Sequence, residues 1–346
     1  STIVALMSEK SDLPVRTCSV AFQTAKSTGN ELPYARIISE KYKTAHEESV
    51  VSDNEILQHF DQIILALDQP SIDGFNSYIV SEAARRRVTV ALSGLGSDEI
   101  FAGYPQFGRF AQIPTMWSNG SPVLENVTQT VGGILPGRLR LASEFLAASR
   151  VNRYCTVRRI FTDHQKAGFL NSDLLRGINR CSLQEFYQSL FRTDLDPIAQ
   201  TSYIEIRGYM AYTLLRDADV MSMAHSLELR VPFLDHKLVE FVFALPRTWK
   251  WYQGQGKTVL RRAMTGLLPE TILTRPKKGF DLPVAHWVQG KLYSLFLETI
   301  TATLKMGWFS NNKDKTIATQ ASLDRSFGSW SILILLRWLV LNSISL

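Results

Sequence analysis

Val90 to Gly103, VALSGLGSDEIFAG, is the stretch from which the fold is read. The apolar and β-branched run Val88 to Leu92 predicts a short buried strand. It gives onto Ser93-Gly94-Leu95-Gly96-Ser97, a turn dense in glycine and serine, and then onto the acids Asp98 and Glu99. Strand, small-residue turn and acid, in that order, is how α/β proteins place sites at the carboxyl ends of parallel strands. The glycines admit a ligand close to the backbone, where a Cβ would collide with it. A carboxylate beside such a turn suits Mg²⁺, which takes one or two carboxylates with phosphate oxygens completing its shell. On spacing alone the competing reading is a tight strand-to-helix turn with Asp98 as a helix cap.

Working outward, the segments before this stretch alternate. A helix over Ser1 to Lys10 and a strand over Val15 to Phe22 come first. A helix over Tyr34 to Tyr42 follows, with Pro33 suited to its first turn, then a strand over His46 to Val50. Asp53 is expected to cap a helix whose Ile56, Leu57, Phe60, Ile63, Ile64 and Leu67 keep helical spacing. A further helix spans 75 to 87. Alternation of this kind predicts a parallel α/β domain over 1–110. After Phe107 strand signals become rare. Residues 111–346 read as a helical region that closes the site, with helices near 124–132, 138–149, 164–178, 183–192 and 199–216. Arginines 138, 140, 150, 153, 158 and 159 read as a solvated basic helix face rather than a binding surface. His46 reads as a surface or core residue before a ligand.

Composition narrows the class. The chain has 346 residues, 45% hydrophobic and 20% charged, enough to build a core. Its net charge of +6 would suit nucleic acid, but the arginines are scattered and no RNA-binding aromatic signature accompanies them, so no nucleic-acid partner is expected. Cys18, Cys155 and Cys181 lack metal-ligand spacing and suit reduced thiols in a cytoplasmic protein. No secretory signal opens the chain. The apolar run Ile332 to Leu341 is broken by Arg337 and too short to span a bilayer, so a buried terminal helix and no membrane association are expected.

Four ordered blocks carry a resemblance. Ser93 to Tyr104, SGLGSDEIFAGY, resembles the SGxGxDExFGGY signature of the asparagine synthetase (glutamine-hydrolysing) family, in its C-terminal ATP-dependent synthetase domain. TCSVAF (17–22), SLELRVPFLD (226–235) and RPKKGF (275–280) resemble further blocks of that family in the same order. The resemblance implies a parallel-sheet domain of the ATP-pyrophosphatase (adenine nucleotide α-hydrolase-like) type. It implies activation of a carboxylate as an acyl-adenylate, followed by attack of ammonia or an amine. It implies ATP contacts at Val20, Ser93 and Gly94, and Asp98 as a Mg²⁺ ligand. Lys277 is implied as the catalytic lysine stabilising transition-state charge, with Lys257 a second phosphate-side lysine.

Asp217 and Asp219 are candidate substrate contacts, while Glu228 and Arg230 read as a structural ion pair. A glutaminase domain is expected upstream or as a partner, and a homodimer is an open alternative for the assembly.

Two departures from the family pattern qualify these expectations. The pyrophosphate loop SGGxDS does not occur, and Ser1 reads as its final serine. The chain is therefore expected to be an N-terminally truncated piece with half its phosphate cradle and one central strand missing, inactive in isolation. At Leu95, the acceptor-position candidate, asparagine-forming relatives carry glutamate; leucine neither accepts a proton nor hydrogen-bonds. A non-aspartate acid of a polysaccharide or secondary metabolite is thus an alternative substrate. A non-catalytic nucleotide-binding scaffold is the alternative of a different class.

Overall fold

The computed structural model describes residues 1–23, 31–111, 148–162, 165–167, 170–180, 183–276, 282–309 and 327–345. After α1 (Thr2–Ser8), strand β1 (Arg16–Phe22) pairs in parallel with β2 (Ala45–Val51), Arg16 opposite Ala45 and Phe22 opposite Val51. The crossover is α2 (Leu32–Tyr42), with proline in its first turn and Lys43 closing it at φ 50°. A parallel pair needs such a crossover, because a two-residue turn joins only antiparallel strands. Helices α3 (Asp53–Ala66) and α4 (Gly74–Arg85) then lead to β3 (Val90–Leu92).

The cap of α3 is Ser52, not Asp53. Ser52 lies in the extended region, its Oγ accepts from the Glu55 N–H at 3.2 Å, and its own N–H donates to Glu55 Oε2 at 2.7 Å. This reciprocal box satisfies two of the helix's orphan donors. Asp53, one residue inside, accepts instead from the Trp287 indole at 2.8 Å and pairs with His286 at 3.0 Å.

Among the described residues the second half is mostly helical, and it also supplies three short strands. Helices α5 (Ser97–Ile100), α6 (Pro105–Ala111), α7 (Arg150–Arg158), α8 (Ser172–Arg180), α9 (Leu183–Ser189) and α10 (Pro197–Glu205) come first. A π-helical segment, Ile206–Leu214, joins α10 to α11 (Leu215–Met223). Strand β4 (Glu228–Arg230) pairs in parallel with β3, Val90 opposite Glu228. Then come α12 (His236–Ala244), α13 (Arg247–Lys250), the two-residue strands β5 (Trp251–Tyr252) and β6 (Gln255–Gly256), and α14 (Thr258–Ala263). Helices α15 (Glu270–Leu273), α16 (Val284–Gln289), α17 (Tyr293–Leu304) and α18 (Phe327–Leu341) complete the order.

The helix expected over 164–178 is divided: residues 165–167 are helical, Leu170 bridges Phe309, and α8 begins anew at Ser172, where Asn171 Oδ1 accepts from the Asp173 N–H at 2.9 Å. The helices expected at 124–132 and across nearly all of 138–149 lie outside the described residues.

The main core joins both halves. Val20 and Phe22 of β1, four residues of α3, and Phe75 and Ile79 of α4 pack with Trp287, Phe296, Ile300 and Trp330 from the carboxyl-terminal helices. The terminal apolar run is therefore a buried helix, and among the described residues no helix is long and apolar enough to cross a membrane.

The expected single parallel sheet is instead two pairs, β1–β2 and β3–β4, with no ladder between them among the described residues. A cavity of about 1800 Å³ lies between the pairs, lined by Arg16, Thr17 and Cys18 on one side and by Val90, Ala91 and Leu92 on the other. This leaves Val90 and Leu92 39% and 40% exposed, unusual for apolar residues of a central strand.

Candidate active site

The site is built where β3 ends. Ser93 N–H donates to the Arg230 carbonyl at 2.8 Å, extending the β3–β4 ladder by one step. The chain then turns through Gly96 at φ 92°, a left-handed position that favours glycine. A Cβ on Gly96 would also meet Leu234 at 2.5 Å. Helix α5 starts directly after it, so Asp98 stands in the first turn of a short helix whose cap position is Gly96. The reading of Asp98 as a cap is thereby replaced.

Asp98 faces Lys257. Lys257 Nζ is 3.0 Å from Asp98 Oδ1 and donates to Ser97 Oγ at 3.1 Å. Lys257 caps α14 with φ 58°, and its N–H donates to the Phe101 carbonyl at 2.7 Å. Two glycines make this approach possible. A Cβ on Gly256 would sit 1.9 Å from the Ala102 carbonyl, and one on Gly103 would sit 1.9 Å from Asp98 Oδ1 and 2.5 Å from Lys257 Cε.

The atoms that crowd Gly103 are side-chain ends, which can swing away. Gly103→Ala is therefore expected to push Lys257 off Asp98 at a cost in stability of only about 1–3 kcal/mol. Paired thermal melts and a crystal structure of the variant check this; an unmoved Lys257 would contradict it.

Of the residues singled out from sequence, Ser93, Gly94, Leu95 and Lys257 line the cavity. Asp98 is not among the lining residues but pairs with one that is. Val20 is elsewhere: its side chain is buried in the main core, which leaves only its backbone for a ligand. Lys277 lies outside the described residues. Arg275 and Pro276, just before it, do line the cavity, with Arg275 bonded to Glu31 and 4.6 Å from the Tyr34 ring. Asp217 is buried and Asp219 exposed, and neither lines the cavity. Glu228 and Arg230 do form an ion pair, at 2.7 Å on the surface of β4. His46 lines the cavity with its Nδ1 2.8 Å from Thr17 Oγ1. Cys18 and Cys155 are free thiols.

Behind Asp98 lies a buried polar cluster that sequence reading missed. Tyr104 donates to Glu99 Oε1 at 2.6 Å, and Glu99 is 1% exposed. The Arg158 guanidinium lies 5.4 Å from the Tyr104 ring centre and 3.9 Å from that of Tyr209. It donates to Glu205, which also accepts from Gln106 at 3.2 Å; Tyr209 donates to Asp73. Burial raises the pKa of Glu99, Asp73 and Glu205, opposed by their hydrogen bonds to Tyr104, Tyr209 and Arg158 respectively. Burial disfavours the charge on Arg158, yet Glu205 beside it leaves its pKa raised. The expected solvated arginine face is thus overturned at Arg153, which is buried, and at Arg158, which is half-buried and paired with Glu205. The signal was hidden because the acid that pairs with Arg158 comes from α10, distant in sequence.

The sequence model of the asparagine synthase family matches residues 1–340. Asparagine synthetase (glutamine-hydrolyzing) 1 of Bacillus subtilis is 26% identical over 358 residues, covering 99% of this chain and 54% of that protein. Asparagine synthetase (glutamine-hydrolyzing) 3 of the same organism is 26% identical over 79% of this chain and 41% of its own length. An amidase of Gibberella zeae is 23% identical over 74% of this chain and 40% of its own length. The chain spans about half the length of the first of these relatives.

Proposed function

The chain belongs to the asparagine synthase family, and we propose that it carries the ATP-dependent amide-forming half of an asparagine synthase-like ligase. In this reading a carboxylate attacks the α-phosphorus of ATP, pyrophosphate leaves, and ammonia displaces AMP from the acyl-adenylate. The observation that carries the reading is the Lys257–Asp98 pair at 3.0 Å, set against the cavity by two glycines. Such a step asks mainly for positioned charge on the phosphates. Lys257 and Lys277 supply positive charge there, and Ser93 and Gly94 present a close backbone surface. The domain division fits this use, with 1–110 holding the nucleotide in an ATP-pyrophosphatase-type fold and 111–346 closing over it.

Mg²⁺ fits the residues present. One carboxylate suffices where phosphate oxygens complete the shell, and no Cβ at Gly103 fills the space beside Asp98 Oδ1. When bound, the ion neutralises charge on the phosphates. Asp98 would hold it.

Leu95, half-buried on the cavity wall, offers hydrocarbon to the acceptor acid. Aspartate is the first acid to test, since the Bacillus relatives carry the name of asparagine synthetase. Those names also read glutamine-hydrolyzing, which supports a glutaminase domain, linked or separate, as the nitrogen source.

The test is ATP–pyrophosphate exchange, run with aspartate and a panel of other acids. Asp98→Asn is expected to slow exchange by about a hundredfold to a thousandfold. Exchange with none of the acids would overturn the reading and leave a nucleotide-binding scaffold.

A further inference from the structure

We propose that Arg158 and Tyr104 are positioning residues that set the spacing of the Asp98–Lys257 pair from helix α7. The inference concerns the site assigned above, but it rests on geometry that holds whatever reaction occurs there.

The turn from Asp98 to Tyr104 is closed twice. Gly103 N–H donates to the Asp98 carbonyl at 2.7 Å, and Tyr104 reaches back to Glu99, the residue next to Asp98. Gly103, at the end of that turn, is the residue against which both Asp98 Oδ1 and Lys257 Cε pack. Where Tyr104 sits therefore decides where Gly103 sits, and Gly103 limits how Lys257 meets Asp98.

Arg158 fixes Tyr104 from the other side. Its guanidinium lies within 5.4 Å of the Tyr104 ring centre and 3.9 Å of the Tyr209 ring centre and is tied to Glu205 on α10, while Tyr209 is tied to Asp73 at the start of α4. A planar cation that stacks on rings and bonds a carboxylate at once is a role lysine does not reproduce. The clamp thus joins α4, α7, α10 and the π-helical segment to the one turn that bears Asp98. If this cluster served packing alone, the Asp98–Lys257 spacing would be indifferent to it.

Competitive acetylation with acetic anhydride, read residue by residue by mass spectrometry on the full chain, distinguishes the two. Lys257 is the probe, and the exposed Lys10 and Lys237 are internal references. Tyr104→Phe keeps the ring and the Arg158 contact but removes the hydroxyl from Glu99, so it tests the clamp without opening the core. It is expected to raise Lys257 labelling relative to the references by about threefold or more, the size of a modest coupling. Arg158→Lys is expected to do the same. Glu99→Gln, whose amide oxygen still accepts from Tyr104, is expected to leave Lys257 labelling as in the parent chain.

Where exchange activity is present, Tyr104→Phe should lower kcat with the KM for ATP unchanged. Unchanged Lys257 labelling in a folded Tyr104→Phe chain would overturn the proposal, as would a rise shared equally by Lys10 and Lys237. Because labelling needs no turnover, a chain that fails to exchange would count against the reaction proposed above and not against the clamp.

Discussion

Trp330→Ala is expected to destabilise the fold by about 3–5 kcal/mol. Trp330 is 0% exposed, with ring centres 4.9 Å from Phe75, 6.0 Å from Phe60 and 5.9 Å from Trp287. Those partners come from α4, α3 and α16, so one side chain from α18 ties the terminal helix to the helices that flank β1. The Phe75 and Phe60 contacts are edge-on, the arrangement in which ring quadrupoles attract beyond simple area burial. Removing the indole leaves a cavity bounded by three helices, and close-packed walls relax only partly into such a space. Set against a typical stability of about 5–15 kcal/mol, the loss consumes a large share of what holds the fold. Trp330→Phe keeps an aromatic ring in the cluster and is expected to cost clearly less. Urea unfolding followed by circular dichroism reads both; a loss under about 1 kcal/mol for Trp330→Ala would show that the cluster is not a keystone of the core.

The elements legible in the sequence are those whose pattern is local. Helix α3 keeps Ile56, Phe60, Ile63 and Ile64 on one buried face, and this periodicity sufficed to find it. The wrong cap was a matter of one residue: serine and aspartate both cap helices, and only the Ser52–Glu55 reciprocity decides between them.

Strand β4 was illegible because Glu-Leu-Arg carries one apolar residue between two charges; its strand character comes from pairing with β3, which is a tertiary fact. The block SLELRVPFLD was recognised as a motif without its sheet partner being evident. The helix expected over 199–216 is real in extent but changes geometry at Ile206, where the π-helical turns begin. Gly208 lies within them, and a Cβ there would meet the Tyr187 ring at 2.5 Å. Nothing in the local pattern of 206–214 announces that contact.

The candidate site divides along the same line. Ser93, Gly94 and Asp98 sit in one contiguous stretch, which is why a single sequence block singles them out. The Arg158 cluster is assembled from α4, α6, α7, α10 and the π-helical segment, so its members read singly as ordinary charges and tyrosines. Long-range charge pairing is the physical content that a pass along the chain lacks.

Asp217 gives the fold a pH dependence opposite to that of an ordinary paired carboxylate. It is 2% exposed and accepts a hydrogen bond from Ser71. Burial pushes its pKa up from 3.8 to about 7; the Ser71 hydrogen bond opposes this, Asp73 and Asp68 add to it, and Arg216 opposes it. In the unfolded chain the group loses its proton near its ordinary value, whereas in the folded chain it keeps the proton until about pH 7. Across that window the native state holds more protons, so stability falls as pH rises, by at most about 1.4 kcal/mol per pH unit. Below the window both states are protonated, and above it both are ionised, so this contribution is flat on either side. The fully ionised group then costs the fold up to about 4 kcal/mol relative to acid conditions.

Asp217→Asn mimics the neutral form and removes the titration. Its amide also brings a buried N–H₂ that needs an acceptor, a cost of about 1–3 kcal/mol that does not vary with pH. The slope, not the absolute stability, is therefore the quantity to compare. Stability measured by urea unfolding at half-unit steps from pH 4 to pH 8 should show the parent chain losing ground to Asp217→Asn through the window and the difference levelling near pH 7. Parallel curves for the two chains would mean that Asp217 is ionised in the native state throughout. Burial would then have been compensated by polar contacts stronger than the single Ser71 hydroxyl.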